Sequence, residues 1–314
     1  MNQSSEKILL FGLPGSGKTS FLAALVHYVD ADIVGKNLRQ YQLSSNTTYI
    51  SSIVQRWLKG EKQERTKITA SSNTKTVADL YLENVISSDK STLHIPDFYG
   101  ETFANQFFDR NMEIDILEQI KSSNGLLLFI SPDKIKEPIL IEEVRVANIV
   151  ADQINEELKS EVFGDSQDIP SIDQTAEEIL VQYDIEETPT QLVLIDLLEA
   201  HTEYINFPIL NLAVVISAWD IVQKDMSTLK PLKWIEITLP MFYQYLVANS
   251  GQINFRVFGI SAQGGDVEDP LEIARLVALP EPADRIVVQE DAEPHKNIAS
   301  PIEWLITQWK QTQV

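Results

Sequence analysis

The sequence predicts an α/β fold in which helices flank a mostly parallel sheet of six strands. Three observations carry that expectation. Short runs such as Gly125–Ile130 and Leu212–Ser217 are apolar almost without interruption, as strands covered on both faces are. Helical patterns alternate with these runs, which is the signature of strand–helix–strand units. The first apolar run, Lys7–Phe11, passes through a glycine-rich loop straight into Thr19–Val29, where Phe21, Leu22, Leu25 and Val29 share one side of a helix.

The elements follow in order. After the first strand and helix, residues 36–60 are polar, with a helix around Tyr49–Leu58, and residues 60–74 lack periodicity and read as loop. Residues 77–82 alternate, so Ala78, Leu80 and Leu82 form the apolar face of a second strand. Thr92–Ile95 is a third strand closed by Pro96, and residues 101–120 are helical. Gly125–Ile130 is the fourth strand, Gln191–Tyr204 a helix, Leu212–Ser217 the fifth strand, Trp234–Ala248 a helix and Phe255–Ile260 the sixth strand. Residues 266–295, rich in Pro, Glu and Asp, read as loop with one or two helical turns, and Ile302–Trp309 is a closing helix.

The whole chain, 1–314, is read as a single domain carrying one insertion. Forty-six acids against 25 bases give a net charge of −21, which repels phosphate backbones and anionic lipid and so argues against nucleic-acid and membrane-surface partners. A few local donors can still hold one phosphate against so distant a field. Residues 137–190 hold 15 acids and two bases, more than half of that excess, and mark an acidic helical insertion at roughly 133–206. It reads as a solvated insertion, a partner-binding arm or a nucleic-acid mimic. The absence of cysteine excludes disulfides, zinc–thiolate sites and cysteine nucleophiles, and fits a cytoplasmic protein. No apolar run is long enough to span a membrane, and the first residues lack the basic start of a signal peptide. The four histidines show no metal-ligating spacing.

The segment GLPGSGKT, Gly12–Thr19, fits the phosphate-binding pattern G-x-x-x-x-G-K-[ST] at every position. Glycines let successive backbone N–H groups face a phosphate, and the following helix offers its positive N-terminal end. The expected cradle is Gly12, Pro14, Gly15, Ser16, Gly17, Lys18, Thr19 and Ser20. Lys18 is expected to bridge the β- and γ-phosphates, and the Thr19 hydroxyl to ligate Mg²⁺.

Three later segments narrow the nucleotide. DFYGE, Asp97–Glu101, ends a strand. Asp97 there can hold Mg²⁺ through water, and the Gly100 N–H can meet a γ-phosphate whose loss would release the segment. SAWD, Ser217–Asp220, places a carboxylate where it can accept from guanine N1–H and the 2-amino group. Adenine lacks both donors, although an aspartate capping a helix after a strand fits the same residues. SAQ, Ser261–Gln263, is a turn in which Ser261 and Ala262 can present N–H groups to guanine O6.

These motifs, in this order, resemble the translation-factor-like and Ras-like P-loop GTPases. The run IPDFYGETF, followed by Asp109-Arg110 and NGLLLFISPDK, is closer still to the bacterial double-GTPase group, which is associated with multigene conflict and defence systems. The resemblance implies a GTP/GDP-binding, Mg²⁺-dependent hydrolase that acts as a nucleotide switch for a protein partner. It also implies a first-switch threonine on Mg²⁺ and the γ-phosphate, for which Thr66, after Arg65, is preferred to Thr69. Two departures stand out. Ser217 and Ala218 replace the family's Asn-Lys pair before the base-reading Asp220, and Glu101 stands where a water-orienting glutamine is usual. Glu101 could act as a base or slow hydrolysis by repelling the γ-phosphate, so slow turnover is expected. Arg65 and Arg110 are candidates for an internal arginine finger or are solvated surface residues. A non-hydrolysing nucleotide-binding scaffold and an ATPase are the alternative readings.

Overall fold

The computed structural model describes residues 6–31, 36–63, 78–95, 106–112, 114–138, 187–205 and 208–312. Eight strands form one sheet: β1 (Glu6–Gly12), β2 (Leu38–Gln42), β3 (Ala78–Asn84), β4 (Lys90–Ile95), β5 (Gly125–Ile130), β6 (Leu210–Ser217), β7 (Ile253–Ser261) and β8 (Val287–Gln289). Their order is β2-β3-β4-β1-β5-β6-β7-β8. The central strands β4, β1, β5, β6 and β7 are parallel, and β2, β3 and β8 run antiparallel to their neighbours.

The expectation of six strands is therefore corrected to eight, with β2 and β8 added at the two edges. The physical reason is that edge strands carry little apolar signal. In β2 (LRQYQ) only Leu38 is fully buried, and in β8 three residues emerge from a Pro- and Asp-rich stretch. A backbone exchange between Val288 and His295 covers the outer side of β8.

The helices are α1 (Lys18–Asp30), α2 (Thr47–Leu58), α3 (Ile114–Ser122), α4 (Thr190–Tyr204), α5 (Trp219–Asp225), α6 (Pro231–Thr238), α7 (Pro240–Ala248), α8 (Pro270–Val277) and α9 (Ser300–Thr312). Strand alternation divides the core between the two faces of the sheet. Ile8, Leu10, Leu127, Phe129, Ala213 and Val215 face α1, α2 and α9. Leu9, Phe11, Leu126, Leu128, Leu212, Val214 and Ile216 face α3 to α7. The single helix expected over 234–248 is two, α6 and α7. Pro240 brings no N–H, so the chain turns at Leu239 and restarts with the proline in its first turn.

Close contacts divide the chain into two compact units, residues 1–135 with 191–314, and residues 136–190. Within the smaller unit, Lys136 N–H donates to Thr190 Oγ1 at 2.8 Å and Thr190 N–H donates to Lys136 O at 3.0 Å. Residues 139–186, which hold most of the acidic insertion expected at 133–206, lie outside the described residues. Among the described residues no helix is long and apolar enough to cross a membrane.

One buried acid makes stability depend on pH. Glu6, at the start of β1, is 3% exposed, and burial pushes its carboxyl up to about 8; Asp89 adds to the rise and Lys310 opposes it. A carboxyl whose folded value lies above its unfolded one contributes stability below about pH 4.5 that is lost as pH rises through about 8. Glu6→Gln is therefore expected to leave stability nearly unchanged at pH 4.5 and to raise it at pH 9 by roughly 3–5 kcal/mol. Urea unfolding at the two pH values measures this; an equal effect at both would contradict it.

Candidate functional site

The site is set by the register of the parallel strands. Gly12 on β1 lies beside Phe129 on β5, Ile130 beside Ile216 on β6, and Ser217 beside Ile260 on β7. Their carboxyl ends form one rank, so the loops after β1, β6 and β7 leave from the same edge of the sheet. Open parallel sheets bind ligands at that edge, where strand order reverses. Here the reversal falls at β1, which has β4 on one side and β5 on the other.

The phosphate loop fills the first of these positions. Gly15 and Gly17 adopt φ of 71° and 84°, left-handed values that glycine reaches without strain. Contact is tight as well. A β-carbon at Gly12 would lie 2.6 Å from Phe129 O, and one at Gly17 would lie 2.6 Å from Ser217 Cβ. Within the loop, Ser16 N–H donates to Leu13 O at 3.3 Å. Pro14 is half-buried, Gly15 exposed, and Ser16 buried. Thr19 and Ser20 lie half-buried in the first turn of α1, whose first helical bond is Phe21 N–H to Gly17 O at 3.0 Å. The N–H groups of Lys18, Thr19 and Ser20 therefore have no partner within the helix and form its positive end.

The Lys18 ammonium is folded back over the loop. Nζ donates to Gly12 O at 2.7 Å, Leu13 O at 2.8 Å and Ser16 Oγ at 2.9 Å. Burial lowers this ammonium to about 7. Positive-φ glycines, a free helix start and a lysine among backbone carbonyls make a cradle that fits a phosphate chain, and the Thr19 hydroxyl is a hard oxygen donor suited to Mg²⁺. The other residues expected at the metal and the γ-phosphate, Thr66, Asp97, Gly100 and Glu101, lie outside the described residues, as do Thr69 and Arg65. Among the described residues no cluster of three or more His, Asp or Glu could hold a metal on its own.

The segments after β6 and β7 come together. Ser261 Oγ donates to Asp220 Oδ1 at 2.5 Å and accepts from Gly264 N–H at 3.0 Å. Ala262 is 8% exposed, and its carbonyl accepts from Trp57 Nε1 at 2.8 Å. Residues 41 positions apart in sequence, expected separately to face one base, thus share a hydrogen bond. Ala218 stands in the left-handed region, at φ 47° and ψ 42°, and turns the chain sharply into α5.

The neighbouring Trp219 points into the core. It is fully buried, and its ring lies so close to Gly259 that a β-carbon there would sit 2.3 Å from Trp219 Cδ2. Trp219 Nε1 donates to Gln289 Oε1 at 2.9 Å. Trp219 therefore braces the Asp220 turn from beneath. Ser217, in place of an asparagine, packs on Gly17 and donates to Ile130 O at 3.3 Å. Arg110 forms an ion pair with Asp196 and lies over the Phe107 ring, 4.7 Å from its centroid. That is the arrangement of a surface arginine.

Sequence reasoning missed three supporting residues: Trp57, Gln289 and Arg285. Gly259 inside an apolar strand was a readable sign that a bulky group approaches β7. Nothing local signals Arg285. Its guanidinium is buried and donates to Trp57 O at 2.7 Å, Leu58 O at 2.8 Å and Leu276 O at 3.0 Å, closing the ends of α2 and α8.

Solved structures with a similar course include the Arl6 BBS3 small GTPase from Trypanosoma brucei with bound GppNp. It is 10% identical, with 98% of this chain and 99% of that one covered and a TM-score of 0.36. Another is the GTPase-like domain of Ski7 from S. cerevisiae bound to GTP, 12% identical, with 98% of this chain and 50% of that one covered and a TM-score of 0.41. A third is the signal recognition particle receptor SRb-GTP/SRX complex from Chaetomium thermophilum, 12% identical, with 85% and 94% covered and a TM-score of 0.36. No curated protein matches the chain. The model of one family, Double-GTPase 1, matches residues 9–305, nearly the full length over which the phosphate loop and the Asp220–Ser261 pair are set, and the chain belongs to that family.

Proposed function

We propose that this protein binds Mg²⁺–GTP at the carboxyl edge of its sheet and hydrolyses it slowly to GDP and phosphate, as a cytoplasmic nucleotide switch read by a protein partner. The observation that carries this reading is the placing of two chemistries on one edge: the Lys18 cradle for phosphates, and the Asp220–Ser261 pair for a base.

In this reading the N–H groups of Gly15, Gly17, Lys18 and Thr19 bind the β-phosphate, with Gly12, Pro14, Ser16 and Ser20 completing the loop. Lys18 Nζ exchanges its carbonyl partners for β- and γ-phosphate oxygens and so stabilises charge on the transferring group. Thr19, Thr66 and Asp97 hold Mg²⁺, which when bound neutralises part of the triphosphate charge. Asp220 accepts from the guanine N1–H and 2-amino groups, and the Ser261–Ala262 turn donates to O6. The Gly100 N–H senses the γ-phosphate and Glu101 faces the attacking water, where a carboxylate in place of an amide favours slow turnover. The segments around Thr66 and Gly100 change when the γ-phosphate leaves, and the partner reads that change. A place in a multi-component bacterial conflict system is the setting that the sequence resemblance supports.

The test is calorimetric titration of nucleotide-stripped protein with GTP, GDP and a non-hydrolysable ATP analogue plus Mg²⁺, followed by single-turnover phosphate release. Guanine binding with ATP excluded and slow phosphate release is the expected result. Equal or tighter ATP binding would overturn the base assignment. Tight GTP binding with no release would leave a nucleotide-dependent scaffold in place of an enzyme.

A further inference from the structure

The turn proposed to read the base is held from outside the nucleotide loops, by the segment between α1 and β3. That segment contributes β2 and α2, and α2 packs on α1 through Ile50, Ile53 and Trp57. Trp57 is fully buried, and its Nε1 reaches across 205 residues to donate to Ala262 O at 2.8 Å.

Gly264, two residues on, is tied through both its N–H and its carbonyl. Ser261 Oγ accepts from Gly264 N–H at 3.0 Å, and Arg275 Nη2 donates to Gly264 O at 3.0 Å. Gly264 stands at φ 79° against the backbone of Arg285, where a β-carbon would lie 2.4 Å from Arg285 O. Arg285 in turn donates to Trp57 O and Leu58 O, and its guanidinium lies 5.2 Å from the Trp57 ring centroid. Trp57 is thus fixed at its backbone by Arg285 and fixes Ala262 with its indole. The peptide unit is planar, so a bond to its carbonyl also constrains the N–H on its opposite side. The Trp57 bond sets the plane joining Ala262 to Gln263, next to the N–H proposed to meet the base.

We propose that Trp57 is a positioning residue for nucleobase recognition: its indole N–H holds the Ala262–Gln263 peptide so that the turn presents its N–H groups to the base, and α2 thereby becomes part of the base site. This rests on the base-reading assignment above. The phosphate loop itself is backed by Phe129, Ser217 and the Lys18 contacts, and the ring of Trp57 meets α1 at His27, toward the far end of that helix from the loop. The effect of losing the bond should therefore appear only with ligands that carry guanine.

The experiment compares wild type and Trp57→Phe for binding of GDP, ADP and inorganic tripolyphosphate, each with Mg²⁺. GDP affinity is expected to fall about tenfold, the loss of one buried hydrogen bond at a fixed position, with ADP and tripolyphosphate unchanged within about twofold. Unchanged GDP affinity, or an equal loss for all three ligands, would overturn the proposal; the latter is what general loosening of the fold produces. If the phenylalanine variant does not fold, replacing Trp57 with 3-benzothienylalanine keeps the ring shape, removes only the N–H, and must give the same selective loss. A wild-type protein that binds GDP no tighter than ADP would remove the base-reading assignment itself. A wild type that prefers GDP, paired with an unaffected variant, would remove only the role of Trp57.

Discussion

Lys18→Ala is expected to reduce GTP affinity at least about 100-fold, the largest loss from any single side chain in the site. Charge-assisted hydrogen bonds contribute about 1.5–3 kcal/mol each, and Lys18 is proposed to make two, to the β- and γ-phosphates. The side chain also organises the loop before any phosphate arrives. Its ammonium ties Gly12 O, Leu13 O and Ser16 Oγ together within 2.9 Å, so its removal loosens the cradle as well as discharging it. Lys18→Arg is expected to fail similarly. A guanidinium is a planar fork, larger than the compact ammonium that fits between two carbonyls and a hydroxyl. Calorimetry with GTP and GDP measures the loss, and thermal unfolding checks that the variant is folded. Retained tight triphosphate binding would end the phosphate-loop assignment.

The second large effect is a change of base. Asp220→Asn replaces one acceptor oxygen by a donor amide, which can donate to the 2-oxo group of xanthine but not accept from the 2-amino group of guanine. GTP affinity is expected to fall about 100-fold and XTP affinity to rise by a similar factor, because polar sites reject ligands that leave their groups unpaired. The variant keeps its fold, since an asparagine oxygen can still accept from Ser261 Oγ where Asp220 Oδ1 does at 2.5 Å. Competition between GTP and XTP for one labelled nucleotide gives the ratio directly. An unchanged ratio would reduce Asp220 to a helix-start residue.

How much of this was legible before the structure depended on whether the signal was local. The central strands were, because β5 and β6 are apolar at almost every position. So was the phosphate loop, whose chemistry fits in eight consecutive residues. The edge strands were not: β2 shows one buried residue in five and β8 is three residues long, so burial leaves no period to read. The break between α6 and α7 was legible in Pro240 and was overridden by the helical pattern around it.

In the site, Asp220 and Ser261 were readable as separate strand ends, but the hydrogen bond joining them follows from the β6–β7 register. Trp57 was the least legible. A tryptophan on the apolar side of an amphipathic helix reads as core, which it is, and nothing near it names a carbonyl 205 residues away as its acceptor.

The seat of Gly17 on Ser217 bears on how the protein is made. The phosphate loop leaves the ribosome 200 residues ahead of the serine that backs it, and well ahead of Phe129, which backs Gly12. At about 5–20 residues per second, synthesis of that interval takes roughly 10–40 s. Through that time the loop has its sequence and its internal Lys18 contacts but lacks the wall against which its glycines close, so its full nucleotide affinity is expected only later. Tight nucleotide capture is therefore expected to follow the laying of β6 beside β5, which would make binding a mark of a chain whose central sheet is already assembled.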